Sequence, residues 1–89
     1  MQRREVEIVS KQGLNASASS KLAQLAAKYL CEVSLVRSGR KVNAKSLMGV
    51  MMLAARKGSR VVIEVDGPDE TEALDAIVAL IADHFGEEQ

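Results

Sequence analysis

The period of the apolar residues changes repeatedly along this chain, and that alternation restricts the folds open to it. Residues 5–9, "EVEIV", put Val6 and Ile8 on one face and Glu5 and Glu7 on the other, the two-residue repeat of a half-buried strand. Gly13 breaks the strand, and from Ala16 to Tyr29 the spacing becomes helical, with Ala18, Leu22, Leu25, Ala26 and Tyr29 along one side. Val33 and Leu35 then alternate with Ser34 and Val36, Ser38-Gly39 is a turn signal, and residues 41–43 resume a short strand, so this stretch predicts a β-hairpin. Ser46 is a good N-cap for a short helix running to Leu53, with Gly58 beyond its end. Val61, Ile63 and Val65 alternate with Val62, Glu64 and Asp66 in a fourth strand. A last helix follows, with acids in its first turn where the macrodipole favours them, a stripe of Leu74, Ile77, Val78, Ile81 and Phe85, and Gly86 at its end. The order is β-α-β-β-α-β-α. Strands with one apolar face each are buried by helices on one side of a single sheet, which makes the chain an α/β (α+β) two-layer sandwich.

The chain has 89 residues, enough for one domain over residues 1–89 and too few for two. Tyr29 and Phe85 are the only aromatic residues, which argues against single-stranded nucleic-acid binding, since that chemistry needs stacking platforms. The net charge is zero, yet all 12 Lys and Arg lie in residues 1–60 against three acids, a net +9, and residues 61–89 carry nine acids and no Lys or Arg, a net −9. A fold that interleaves the halves would blur this split; otherwise one face attracts an acidic partner. Cys31 has no second cysteine to pair with, no Cys/His cluster suggests a metal, and the residue reads as a small core side chain. No cofactor is expected. The first ten residues lack the apolar run of a signal peptide and no stretch is long enough to insert in a membrane, so a cytoplasmic location is expected.

Two stretches draw attention as sites. In "GLNASASS", residues 13–20, Asn15, Ser17, Ser19 and Ser20 cluster at a helix start, where free N–H groups and the positive dipole end attract anions. Ordinary capping explains the same residues and is the simpler reading. In "AKSLMGVMML", Ser46 could carry a phosphate at a helix start, where the added charge would meet the dipole. Leu47, Met48, Met51 and Met52 crowd a helix too short to bury them all, and exposed Met makes an adaptable binding surface, although by periodicity alone the methionines read as core filler. His84, the only histidine, has no matching Ser, Cys or carboxylate constellation and is not expected to be catalytic.

Together "GLNASASSKLAQLA", "VNAKSLMGVMMLAARKG" and "VDGPDETEALDAIVALI" resemble the HPr family, phosphocarriers of the bacterial phosphoenolpyruvate:sugar phosphotransferase system. The resemblance covers essentially the whole chain. It implies an open-faced β-sandwich, a four-stranded antiparallel sheet with three helices on one face. It also implies a carrier rather than an enzyme.

The first motif departs from the family pattern Gly-Leu-His-Ala-Arg. Asn15 stands where the phosphoryl-accepting histidine belongs, and Ser17 where the phosphate-binding arginine belongs, so no catalytic residue is expected. A carboxamide nitrogen has its lone pair delocalised into the carbonyl and is not a nucleophile, although Asn15 still donates and accepts hydrogen bonds. Losing the arginine also removes the fork that grips a phosphate bidentately. The chain is in this respect similar to Crh, the HPr-like regulator that lacks the acceptor histidine and keeps the serine on the second helix. An engineered form of a competent carrier is the other origin for these changes; the paired replacement at Asn15 and Ser17 favours natural divergence.

The resemblance implies regulatory phosphorylation at Ser46 by HPr kinase/phosphorylase. It places a partner surface on Ala16, Ser17, Ser20, Leu47, Met48 and Met51, facing enzyme I, HPr kinase/phosphorylase or regulatory targets. Lys21, Lys45 and Arg56 could steer an acidic partner. Two alternatives stay open: a working phosphocarrier, with Ser17 or Ser19 as acceptor and no adjacent base visible, and an interaction module that is never phosphorylated.

Overall fold

The computed structural model describes residues 1–87. Its elements are β1 (Gln2–Glu7), α1 (Ala16–Ala26), β2 (Glu32–Arg37), β3 (Arg40–Asn43), α2 (Leu47–Met52), β4 (Arg60–Asp66) and α3 (Glu70–Ala82), with a 3-10 turn at His84–Gly86. The strands form one antiparallel sheet in the order β1-β4-β2-β3. Register follows the apolar alternation: Val33 faces Val65 and Leu35 faces Ile63 across β2 and β4, and Val6 faces Val61 across β1 and β4. A slip of one residue would turn these side chains to water, which fixes the pairing.

Val33, Leu35, Val61, Ile63 and Val65 are buried against Leu22 and Ala26 of α1 and Ala73, Leu74, Ile77 and Ile81 of α3. Three helices thus cover one face of an open sheet, and the other face carries Glu64, Lys41 and Arg3. Glu64 receives both Arg3 (3.2 Å) and Lys41 (3.1 Å). The acidic half of the chain supplies β4, and the basic half flanks it on both sides. The charge split of the sequence is therefore partly cancelled within the sheet. Ser38 (φ 51°) and Gly39 (φ 79°) join β2 to β3 in a two-residue turn of the left-handed kind that matches strand twist.

Three boundaries differ from the sequence expectation. β1 spans Gln2–Glu7 rather than residues 5–9. Ile8 is fully buried beyond its end, its N–H donating to the Ser59 carbonyl at 2.8 Å and its carbonyl accepting from Gly58 N–H at 2.7 Å. α1 stops at Ala26, because Lys28 and Tyr29 donate to the carbonyls three residues back and tighten the chain into a turn. Tyr29 packs against the core from that turn.

The last helix stops at Ala82. Phe85 enters the core not along the helical stripe but from a left-handed turn, His84 (φ 54°), Phe85 (φ 57°) and Gly86 (φ 71°). Left-handed backbone costs about 1 kcal/mol or more at each non-glycine residue, and burial of a Phe side chain offsets it with about 1.5–3 kcal/mol. Val78, expected in the stripe, is only half-buried at the core margin.

Candidate functional site

The loop between β1 and α1 is built around Gly13. Its φ of +65° is a glycine conformation, and a Cβ there would stand 2.5 Å from the Ala55 carbonyl oxygen and 2.9 Å from Arg56 Cα. Leu14 N–H donates to the same Ala55 carbonyl at 2.8 Å. The segment after α2 therefore holds the loop that opens α1, and the two candidate stretches of the sequence become parts of one region. Direct packing of α1 on α2 completes the link.

Asn15 is the N-cap of α1, with extended backbone, and its Oδ1 accepts from Ala18 N–H at 2.8 Å. The plain capping role expected of this residue is present. Ala16 and Ser17 are exposed in the first turn and Ser20 is half-buried in the next. Ser19 is fully buried and donates to the Leu14 carbonyl at 3.1 Å, so its hydroxyl is out of reach of any phosphoryl donor.

Ser17 has a partner that local sequence could not reveal. Its hydroxyl donates to Glu87 Oε2 at 2.6 Å, and Lys21 Nζ reaches the same carboxylate at 3.3 Å and the Phe85 carbonyl at 3.0 Å. A carboxylate thus stands beside Ser17, where the sequence showed no base. The Ser17 hydrogen bond first, and the Lys21 charge with it, hold the Glu87 carboxyl below its usual range. That makes it a weak base, since proton abstraction improves as the base's pKa rises toward the working pH. Seventy positions separate Ser17 from Glu87, and no spacing rule spans such a distance.

Ser46 is the N-cap of α2, its Oγ accepting from Gly49 N–H at 3.1 Å. A Cβ at residue 49 would lie 3.1 Å from the Asn43 carbonyl oxygen, so glycine lets the first turn of α2 sit close against the end of β3. Of the residues of α2 only Val50 is buried. Leu47 (43% exposed), Met48 (69%), Met51 (39%) and Met52 (59%) stand out into solvent. The crowded short helix does leave its large apolar residues uncovered. Lys45 donates to the Tyr29 carbonyl at 2.7 Å and Lys21 is paired with Glu87, so of the three expected steering cations only Arg56 is not tied down by its side chain in this way. His84 sits past α3, and its Nδ1 is buried with no hydrogen-bond partner. Among the described residues no group of three or more His, Cys, Asp or Glu could hold a metal, and no helix is long and apolar enough to cross a membrane.

An open four-stranded sheet with α1 and α2 packed against each other matches known proteins. Residues 2–83 fit the family described as PTS HPr component phosphorylation site. The chain belongs to the HPr family. It is 58% identical over 87 residues to the phosphocarrier protein HPr of Cupriavidus necator, covering 98% of both chains. It is 40% identical over 81 residues to the HPr-like protein Crh of Halalkalibacterium halodurans, covering 91% of this chain and 96% of that one. The crystal structure of HPr-C-His from Thermoanaerobacter tengcongensis superposes with a TM-score of 0.96 at 39% identity and full coverage of both chains. The HPr fold expected from the sequence is the fold observed. The HPr relatives are phosphocarriers by name, so this family is one of carriers of the phosphotransferase system and not of enzymes.

Proposed function

We propose that this chain, acting as one domain, is a regulatory member of the HPr family that docks phosphotransferase-system proteins and does not carry a phosphoryl group at position 15. The observation that carries this reading is Asn15 itself. Its carboxamide occupies the acceptor position, lacks a nucleophilic lone pair, and spends its oxygen on the α1 cap. Ser17, in the phosphate-binding position, offers one hydroxyl where an arginine would offer a bidentate fork, and that hydroxyl is engaged by Glu87.

The docking surface comprises Ala16, Ser17 and Ser20 with Leu47, Met48 and Met51. Its apolar part suits enzyme I, HPr kinase/phosphorylase or a regulatory target in the cytoplasm. Ser46 is the switch in this reading. Its phosphorylation would add nearly two negative charges at the start of α2, beside Met48 and Met51, and so change which partners bind.

A second reading, a carrier using Ser17, draws on the 2.6 Å contact with Glu87. It is the weaker of the two, because the depressed carboxyl is a poor base and a serine phosphate is a stable ester.

Intact mass after incubation with enzyme I and phosphoenolpyruvate tests both. The regulatory reading expects no phosphoryl gain by the native chain and a gain by Asn15→His. A gain by the native chain that Ser17→Ala abolishes would establish the second reading instead. HPr kinase with ATP should add one phosphoryl group to the native chain and none to Ser46→Ala; an unmodified native chain would remove the switch.

A further inference from the structure

The two arginines flanking the β2–β3 turn face each other directly in the register, Arg37 opposite Arg40. They lie two residues from the inward-facing pair Leu35 and Val42, so both side chains project from the helix side of the sheet. Like charges opposite one another repel, and a sheet gains nothing from such a pair by itself.

What holds them is the end of α2. Arg37 Nη1 donates to the Leu53 carbonyl at 3.0 Å, and Arg40 Nη1 to the Met52 carbonyl at 3.3 Å. Each guanidinium has five N–H donors in a fixed plane, so these bonds orient the forks without exhausting them. Neither arginine is paired with a carboxylate among the described residues.

Between the turn and the end of α2 lies a cavity of about 330 Å³, lined by the two arginines with Ser38, Met52, Leu53 and Ala54. No acid lines it. Two positive charges are thus fixed on one concave surface, held by backbone carbonyls and with no carboxylate against them among the described residues. We propose that this cavity binds a small phosphate monoester. A dianion matches the doubled charge, its tetrahedral oxygens accept from both forks, and Met52 gives an apolar wall to the carbon skeleton. The site lies outside the Asn15 and Ser46 surface, and it stands whether or not the regulatory reading does.

The test is a titration of ¹⁵N-labelled protein with glycerol 3-phosphate at constant ionic strength, with potassium chloride as the control. Saturable shifts are expected at the side-chain Nε–H of Arg37 and Arg40 and at the amides of Ser38, Gly39 and Ala54. Arg37→Gln and Arg40→Gln should each bind about tenfold or more weaker, the cost of losing a charge-assisted hydrogen bond. Arg40→Lys, which keeps the charge and loses the fork, should fall between. Unchanged amide positions of Ile63 and Phe85 establish that a variant is folded, and exposed Arg40 gives a variant independent of half-buried Arg37. Shifts that never saturate, that chloride reproduces, or that survive in a folded Arg40→Gln variant would overturn the site. So would a silent titration, the result expected if the arginines instead await an acidic side chain of a protein partner.

Discussion

Asn15 carries two roles that separate on substitution. As a cap it satisfies the Ala18 N–H at 2.8 Å. Asn15→Ala removes that acceptor and should cost about 1 kcal/mol of stability, read from denaturant midpoints at unchanged slope. At the position proposed for the phosphoryl acceptor, its lack of nucleophilicity is chemical and needs no structure to argue. Cys31 gives a second prediction at this scale. It is 1% exposed, burial first of all and then its contact with Asp69 push the thiol up, and the thiolate is the reactive form. A thiol reagent at neutral pH should therefore leave the folded protein unmodified over minutes and label it fully in denaturant. Fast labelling of the native chain would show that the side chain is not sealed in the core.

Among the elements, the β1–α1 loop and the segment after α2 act as one unit through Gly13. Alanine at this position meets two penalties, a left-handed φ and a Cβ held 2.5 Å from a backbone oxygen that no side-chain rotation can move. Gly13→Ala should destabilise the protein by about 2–4 kcal/mol. It should also shift the backbone amides of Leu14, Ala55 and Arg56 together in an NMR spectrum, because the loop must lift from Ala55. A mild effect confined to residue 13 would mean that the loop is not clamped. The exposed apolar residues of α2 also belong to this scale. A six-residue helix offers less than two turns, so only Val50 can face the core while its neighbours cannot.

The whole molecule is tied together by carboxylates that reach across the chain. Asp69 accepts from Leu30 N–H at 2.8 Å and Cys31 N–H at 2.9 Å, joining the start of α3 to the entry of β2. Glu87 joins the segment after α3 to α1. The Asp69 carboxyl is held below its ordinary value, first by the Leu30 N–H and also by that of Cys31. A depressed folded-state pKa means that the unfolded chain binds the proton more tightly. The stabilisation is then fully present above the ordinary carboxylate range and is lost as pH falls through it toward the lower folded value. Stability should be flat near neutrality and decline in that acid window. Asp69→Asn should be less stable at neutral pH and show a shallower acid decline, measured as denaturant midpoint against pH. An unchanged slope would place the acid sensitivity elsewhere.

Much was legible in the sequence. The element order, the single sheet with its helices and the caps at Asn15 and Ser46 all follow from periodicity and capping preferences, which act over a few residues; periodicity alone would have buried the methionines, and the shortness of α2 leaves them exposed. The limits of β1, α1 and α3 were not, because hydrogen bonds to Ser59 and the left-handed turn at His84 and Phe85 depend on how distant parts pack. The same reason hid Glu87 beside Ser17, the clamp on Gly13 and the convergence of Arg37 and Arg40 on the end of α2. The sequence by itself determined what residue 15 cannot do, since nucleophilicity is a property of the functional group. Only the tertiary structure decided which groups meet across tens of residues, since the long-range contacts that bring them together leave no periodic trace in the chain.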